Sequence, residues 1–170
     1  MRPVLGVSLE LAALALVFSL APAVPGGVVF AVYVLFAEFA ATFLIHCPAH
    51  YAVGMALGVR FTEMRAGRTT LARALPPRLG RFAGLMPILT LRTDRTSLAR
   101  ASRAKASAMF ASGTVASTSV AFLIAGGSTL VQPLPYALLA CALALLYLAF
   151  DLRFSPRGGD LKRAKAAFSR

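Results

Sequence analysis

The chain has 170 residues, 58% of them hydrophobic, with a mean hydropathy of +0.74 and a formal net charge of +12. That is too apolar for a soluble domain of this length. Nucleic-acid binding is excluded by where the 18 basic residues fall: eleven between Arg60 and Lys105, six after Asp151 and one at Arg2, with almost none in the apolar runs between.

The first apolar run, residues 4–24, is about 21 residues long, enough at 1.5 Å per residue for the roughly 30 Å of a bilayer core. Its length suits a membrane span better than a removable signal peptide, although Ala21-Pro22-Ala23 is a weak cleavage-like sequence. Glu10 lies inside this run. It is expected near the cytoplasmic interface, within reach of lipid headgroups, the alternative being that it faces other helices or water. Pro25-Gly26-Gly27 is an uncharged turn that makes a hairpin with the next segment.

The second segment, residues 28–59, is about 32 residues and would reach about 48 Å as a straight helix, so tilt, protrusion or a kink is required. Pro48 supplies a kink by withdrawing the donor that would satisfy the Leu44 carbonyl. Glu38, Thr42, His46 and His50 recur every four residues and form a slowly winding polar stripe. Cys47 flanks the stripe about 100° around the helix from His46. Both cysteines, Cys47 and Cys141, lie in apolar runs, which argues against a disulfide framework.

Residues 60–105 form one long basic loop. Gly67, Pro76, Pro77, Gly80, Gly84 and Pro87 exclude a continuous helix there. Residues 85–91 (LMPILTL) suit a strand or an interfacial segment, and residues 92–105 a helix leading into the membrane. The third span, residues 106–131, is rich in small residues, with Ser107, Ala111, Gly113 and Ser117 as points of close helix approach. After an uncharged Pro-rich turn comes a Leu- and Ala-rich fourth span, residues 134–150, expected to face lipid. A basic tail, residues 151–170, ends in a short amphipathic helix that Asp160 is placed to cap.

With positive charge confined to the loop, the tail and Arg2, both termini are expected in the cytoplasm. The fold class is therefore all-α integral membrane, a single domain of four transmembrane helices. The expected location is the plasma (inner) membrane of a prokaryote. Partners are the bilayer, anionic lipid headgroups at the basic loop, and another membrane protein or a second copy; nucleic acid is not among them.

His46 and His50, at i and i+4, share one helical face and can grip one ion. They are the ligand half of the zinc-peptidase pattern His-Glu-x-x-His, whose Glu is the general base. Here the pattern reads His46-Cys47-Pro48-Ala49-His50, with no carboxylate between the ligands. Histidines bonded to carbonyls or hydroxyls of neighbouring helices would fit the same spacing.

His46-Cys47-Pro48-Ala49-His50-Tyr51, followed by Gly54 and Gly58-Val59-Arg60-Phe61, resembles the site-2 protease family of intramembrane metalloproteases. Ala111-Ser112-Gly113, continuing to Ser117, is similar to the family's later small-residue helix. The resemblance covers about residues 40–123, half the chain. It implies zinc as cofactor, His46 and His50 as metal ligands and Asp151 as the nearest stand-in for the third. Cys47 stands where the family carries its catalytic Glu, and no Asp-Gly follows in the last span. Loss of a positioned base removes about 10²–10⁴ in rate, and Glu38 lies roughly 12 Å along the axis from His46. The expectation is thus a catalytically degenerate relative, a pseudoprotease with no catalytic residue of its own, binding a membrane partner and a divalent metal. The rivals are an active intramembrane zinc metallopeptidase, an ion or proton path along Glu38, Thr42 and the histidines, and a structural subunit of a membrane complex.

Overall fold

Four helices among the described residues are long and apolar enough to cross a membrane: Pro3–Ala23, Val28–Ala56, Arg103–Val131 and Leu134–Gly158. The structure is a computed structural model and describes residues 1–66, 77, 81 and 89–169. Gly67, Pro76, Gly80, Gly84, Pro87 and residues 85–88 of the expected strand or interfacial segment lie outside the described residues.

Helix α1 (Pro3–Ser19) starts with proline at its first position, where a missing donor costs nothing. It passes through a single 3-10 turn, Ala21–Ala23, into the hairpin connection. The second span is two helices, α2 (Val28–Leu44) and α3 (His46–Ala56), broken at Ile45. The break falls where Pro48 has no donor for the Leu44 carbonyl, and regular bonding resumes with Ala49 N–H to Ile45 O at 3.0 Å. Helix α3 stops three residues short of the expected Val59. Val59 N–H bonds the Gly54 carbonyl at 2.8 Å and Gly58 N–H that of Met55 at 3.1 Å, with Gly58 at φ +84°. This is a Schellman closure, which needs a residue free to adopt the left-handed conformation.

The long connection contributes a two-stranded antiparallel sheet, β1 (Phe61–Ala66) and β2 (Leu89–Thr93), with Met64 opposite Leu91 and a bulge near Phe61. Met1 exchanges backbone hydrogen bonds with Met64 on the other edge of β1. Asp94 then caps the short α4 (Arg95–Arg100), accepting from the Thr96 and Ser97 amides.

Helix α5 (Arg103–Val131), capped by Ser102, is the central element and packs against α2, α3 and the two helices that follow it. Its buried stripe is Ala106, Met109, Gly113, Ser117, Ala121, Ala125 and Ser128. Gly113 and Ser117 sit on that stripe. Ser107 and Ala111 are only half-buried, because the close-approach face runs a fraction of a turn away from them. Helix α6 (Leu134–Gly158) runs eight residues past the expected end at Phe150. It buries Ala137, Ala140 and Ala144 and leaves Leu138, Leu139, Leu145 and Leu146 exposed. Ala121, Ala125, Ala140, Ala144 and Val34 make the core where α2, α5 and α6 meet. Small side chains there let backbones approach closely, the main source of helix association in lipid. Helix α7 (Asp160–Phe168) folds back onto α5 and α6, burying Ala164 and Ala167.

Candidate metal centre

The break at Ile45 starts a new helix whose first and fifth residues are His46 and His50. Their rings meet edge to face, centroids 4.8 Å apart. His50 is almost fully buried and His46 partly so. On α5, Gly113 makes room for this: a Cβ built there would lie 2.3 Å from His50 Nε2. The glycine is required by proximity, not by backbone conformation.

The Nδ1 atoms are held from behind. His50 Nδ1 lies 2.7 Å from the Met109 carbonyl, which can only accept, so Nδ1 carries the proton. His46 Nδ1 lies 3.1 Å from Ser117 Oγ. That hydroxyl gives its own proton to the Thr42 carbonyl at 2.7 Å, so it accepts from His46. Both Nε2 atoms are therefore left with lone pairs directed forward, the tautomer that metal-ligating histidines adopt when Nδ1–H is fixed by an oxygen.

What lies in front of them is the carboxylate of Asp160. Its Oδ2 is 2.9 Å from His46 Nε2 and 3.1 Å from His50 Nε2, while Oδ1 faces Arg163 at 3.7 Å. Ligand atoms of the three residues all lie within 4.8 Å of one another, so His46, His50 and Asp160 can hold a metal ion. Ligands about 2.0–2.2 Å from a tetrahedral ion are roughly 3.3 Å from each other, close to the two spacings from Asp160 Oδ2 to the imidazoles. Burial opposes ionisation of Asp160, but hydrogen bonding and charge from an imidazole whose Nε2 takes up a proton in place of an ion outweigh it and hold its pKa well below the usual carboxylate range. The third member is thus anionic at neutral pH.

Asp151, the expected third ligand, is not that residue. It accepts from Thr118 Oγ1 at 3.0 Å, and helix α6 carries the chain on past it. Asp160 had been expected to cap the last helix. Gly159 occupies the cap position, Asp160 makes no cap bond, and its side chain turns to the histidines instead. The chain reverses at Gly158-Gly159, where Leu161 N–H bonds Ser155 Oγ at 3.2 Å. The available signal was the pairing of one of only six acidic residues with a preceding Gly-Gly.

The side chains of the rest of the polar stripe are not among the three donors, and Thr42 serves the centre only through its backbone carbonyl. Glu38 is fully buried with no hydrogen-bond partner on either oxygen among the described residues, and Thr42 bonds its own helix at the Phe39 carbonyl. Cys47 donates to the Leu89 carbonyl of β2 at 3.2 Å. Glu10 does not reach outward to headgroups. It is 5% exposed and lies within hydrogen-bonding reach of the Cys47 thiol.

The centre opens into a cavity of about 1050 Å³. Its walls include Phe39, Phe43, Phe110 and Phe150, strand β2 forms one side, and Glu10 and Asp160 stand among its polar lining. Comparisons of the chain with protein-family models, with curated proteins and with solved structures give no match.

Proposed function

We propose that this chain is a metal-binding integral membrane protein, related in kind to the site-2 proteases, that holds a divalent ion on His46, His50 and Asp160 at the head of a cavity receiving a segment of a membrane partner. The observation that carries this reading is the convergence of three acceptor atoms, two Nε2 lone pairs and one carboxylate oxygen, with both imidazole protons already committed behind. Such a cluster repels itself unless a cation or an extra proton lies within it. Two histidines and one carboxylate suit zinc, with ferrous iron the next candidate.

The aromatic cavity beside the centre supports an apolar, membrane-embedded partner. The basic loop and tail support an orientation with both termini in the cytoplasm, in the inner membrane of a prokaryote, with anionic headgroups against the loop. Cys47 supplies no carboxylate, which is why binding without cleavage is the reading at position 47 alone.

The test is elemental analysis of protein purified in mild detergent without chelator. About one zinc per chain is expected, lost in His46→Ala and Asp160→Asn and retained in Asp151→Asn. Metal-free wild-type protein that also fails to take up added Zn²⁺ would show instead that the cluster is an imidazolium–carboxylate pair.

A further inference from the structure

We infer that a second cleft, between the end of α3 and the start of α5, is a binding site for a phosphate group, and that an anionic phospholipid headgroup supplies it. This deepens the headgroup contact proposed above by giving it a site, and it stands apart from the metal centre. The cleft has a volume of about 470 Å³, and Arg60, Asp94, Arg100, Ser102 and Lys105 are among its walls. Backbone bonds fix those walls. Gly58, at φ +84°, turns the chain out of α3, and the Arg60 N–H then bonds Ser97 Oγ at 2.9 Å. The Asp94 N–H bonds the Arg60 carbonyl at 2.8 Å, so the turn after α3 is tied to α4 at two points. Ser102, in extended conformation, separates α4 from α5 and caps the latter, accepting from the Lys105 amide at 3.4 Å. Residues far apart in sequence are thereby set around one opening.

The charge around that opening is unbalanced. Arg60, Arg100 and Lys105 line it, and of the chain's 6 acidic residues only Asp94 does. The Asp94 carboxylate already accepts from the Thr96 and Ser97 amides. The remaining carboxylates are engaged or enclosed elsewhere: Glu63 pairs with Arg65 and Arg92, Asp151 accepts from Thr118, Asp160 stands at the metal centre, and Glu10 and Glu38 are buried. Arg60, Arg100 and Lys105 make no ion pair among the described residues. Like charges gathered around one concave site repel, and an anion placed among them relieves that repulsion. The positive end of the α5 dipole adds to the same sign. Guanidinium forks and an ammonium group suit the several oxygens of a phosphate.

Location selects the source of that phosphate. The long apolar helix Val28–Ala56 ends at this cleft and Arg103–Val131 begins there. Two spans leaving the apolar layer side by side put the cleft at the level of lipid headgroups, where long basic side chains reach the interface. Dissolved phosphate has to be drawn from bulk water, whereas a headgroup phosphate is confined to the same surface as the site and so is present at high effective concentration.

The test uses full-length protein purified in mild detergent and stripped of lipid. Native mass spectrometry reads binding of phosphatidylglycerol and of phosphatidylcholine, and calorimetry reads binding of inorganic phosphate. Wild type is expected to prefer phosphatidylglycerol. Arg100→Gln with Lys105→Gln should weaken that binding about 25-fold, about fivefold for each charge removed. Arg2→Gln with Arg153→Gln removes the same charge from residues outside the cleft, and should weaken it by no more than about twofold, since distant exposed charges are screened. Asp94→Asn keeps a capping side chain and should tighten it. Inorganic phosphate bound by wild type and lost with Arg100 and Lys105, with no preference between the lipids, keeps the phosphate site and overturns the lipid as its source. Equal losses in the two paired variants overturn the site and leave only diffuse attraction of headgroups to the loop. Binding of neither phosphatidylglycerol nor inorganic phosphate overturns it as well. Zinc content reads the metal centre separately and should be the same in every variant.

Discussion

At the scale of single residues, the centre depends on groups that touch no ion. Met109 O, and Ser117 Oγ with its bond to Thr42 O, decide which nitrogen of each histidine faces forward. Gly113 decides whether the His50 ring can be there at all. Gly113→Ala should push the imidazole off the Met109 carbonyl and weaken zinc binding about 10–100-fold, the usual cost of disturbing an outer-shell partner. Chelator competition checks this, and an unchanged circular dichroism spectrum would show that the bundle is intact. The histidine pair was legible because i, i+4 spacing on a helix is geometry that sequence states outright. Asp160 was not legible. Asp151 is the nearest stand-in that the last apolar run offers, whereas the carboxylate beside the histidines is delivered by a chain reversal that leaves no periodic trace. The contact between Glu10 and Cys47 was equally hidden, since it is made between two helices 37 positions apart in sequence.

At the scale of elements, apolar runs located all four spans, but hydropathy reports where lipid contact ends and not where a helix ends. Helix α6 continues through Asp151 and Arg153, accommodates Pro156 and ends only at Gly158-Gly159. Pro48 was a readable kink because its effect is local. The two-stranded sheet was harder to read: β1 and β2 are joined across a long connection, and pairing at that distance is not written in either strand. The element that follows carries its own pH dependence. Asp94 accepts from the Thr96 and Ser97 amides and its pKa is lowered as a result. Its capping contribution is therefore fully present above the unfolded value of about 3.9 and is lost as pH falls through the lower folded value. Amide exchange at Thr96 and Ser97, corrected for intrinsic rates, should quicken in that acidic range, and Asp94→Asn should remove the step.

For the whole molecule, the charge distribution is the long-range signal. Eleven basic residues between Arg60 and Lys105 and six after Asp151 fall on alternate connections. From the positive-inside rule we propose both ends of the chain in the cytoplasm. A fluorescent protein fused after residue 170 should light up and a periplasmic phosphatase at the same point should stay inactive; the reverse pattern would invert the topology. The same orientation would put the histidine helix, the sheet and α7 at one end of the bundle.

Helix α7 has only nine residues and cannot itself cross a bilayer, yet one of its oxygens completes a centre whose other donors belong to a membrane span. The molecule thus has a handle. Anything that grips this short basic segment and lifts it away takes Asp160 with it, and so removes the third donor from the proposed metal site without moving a single long helix.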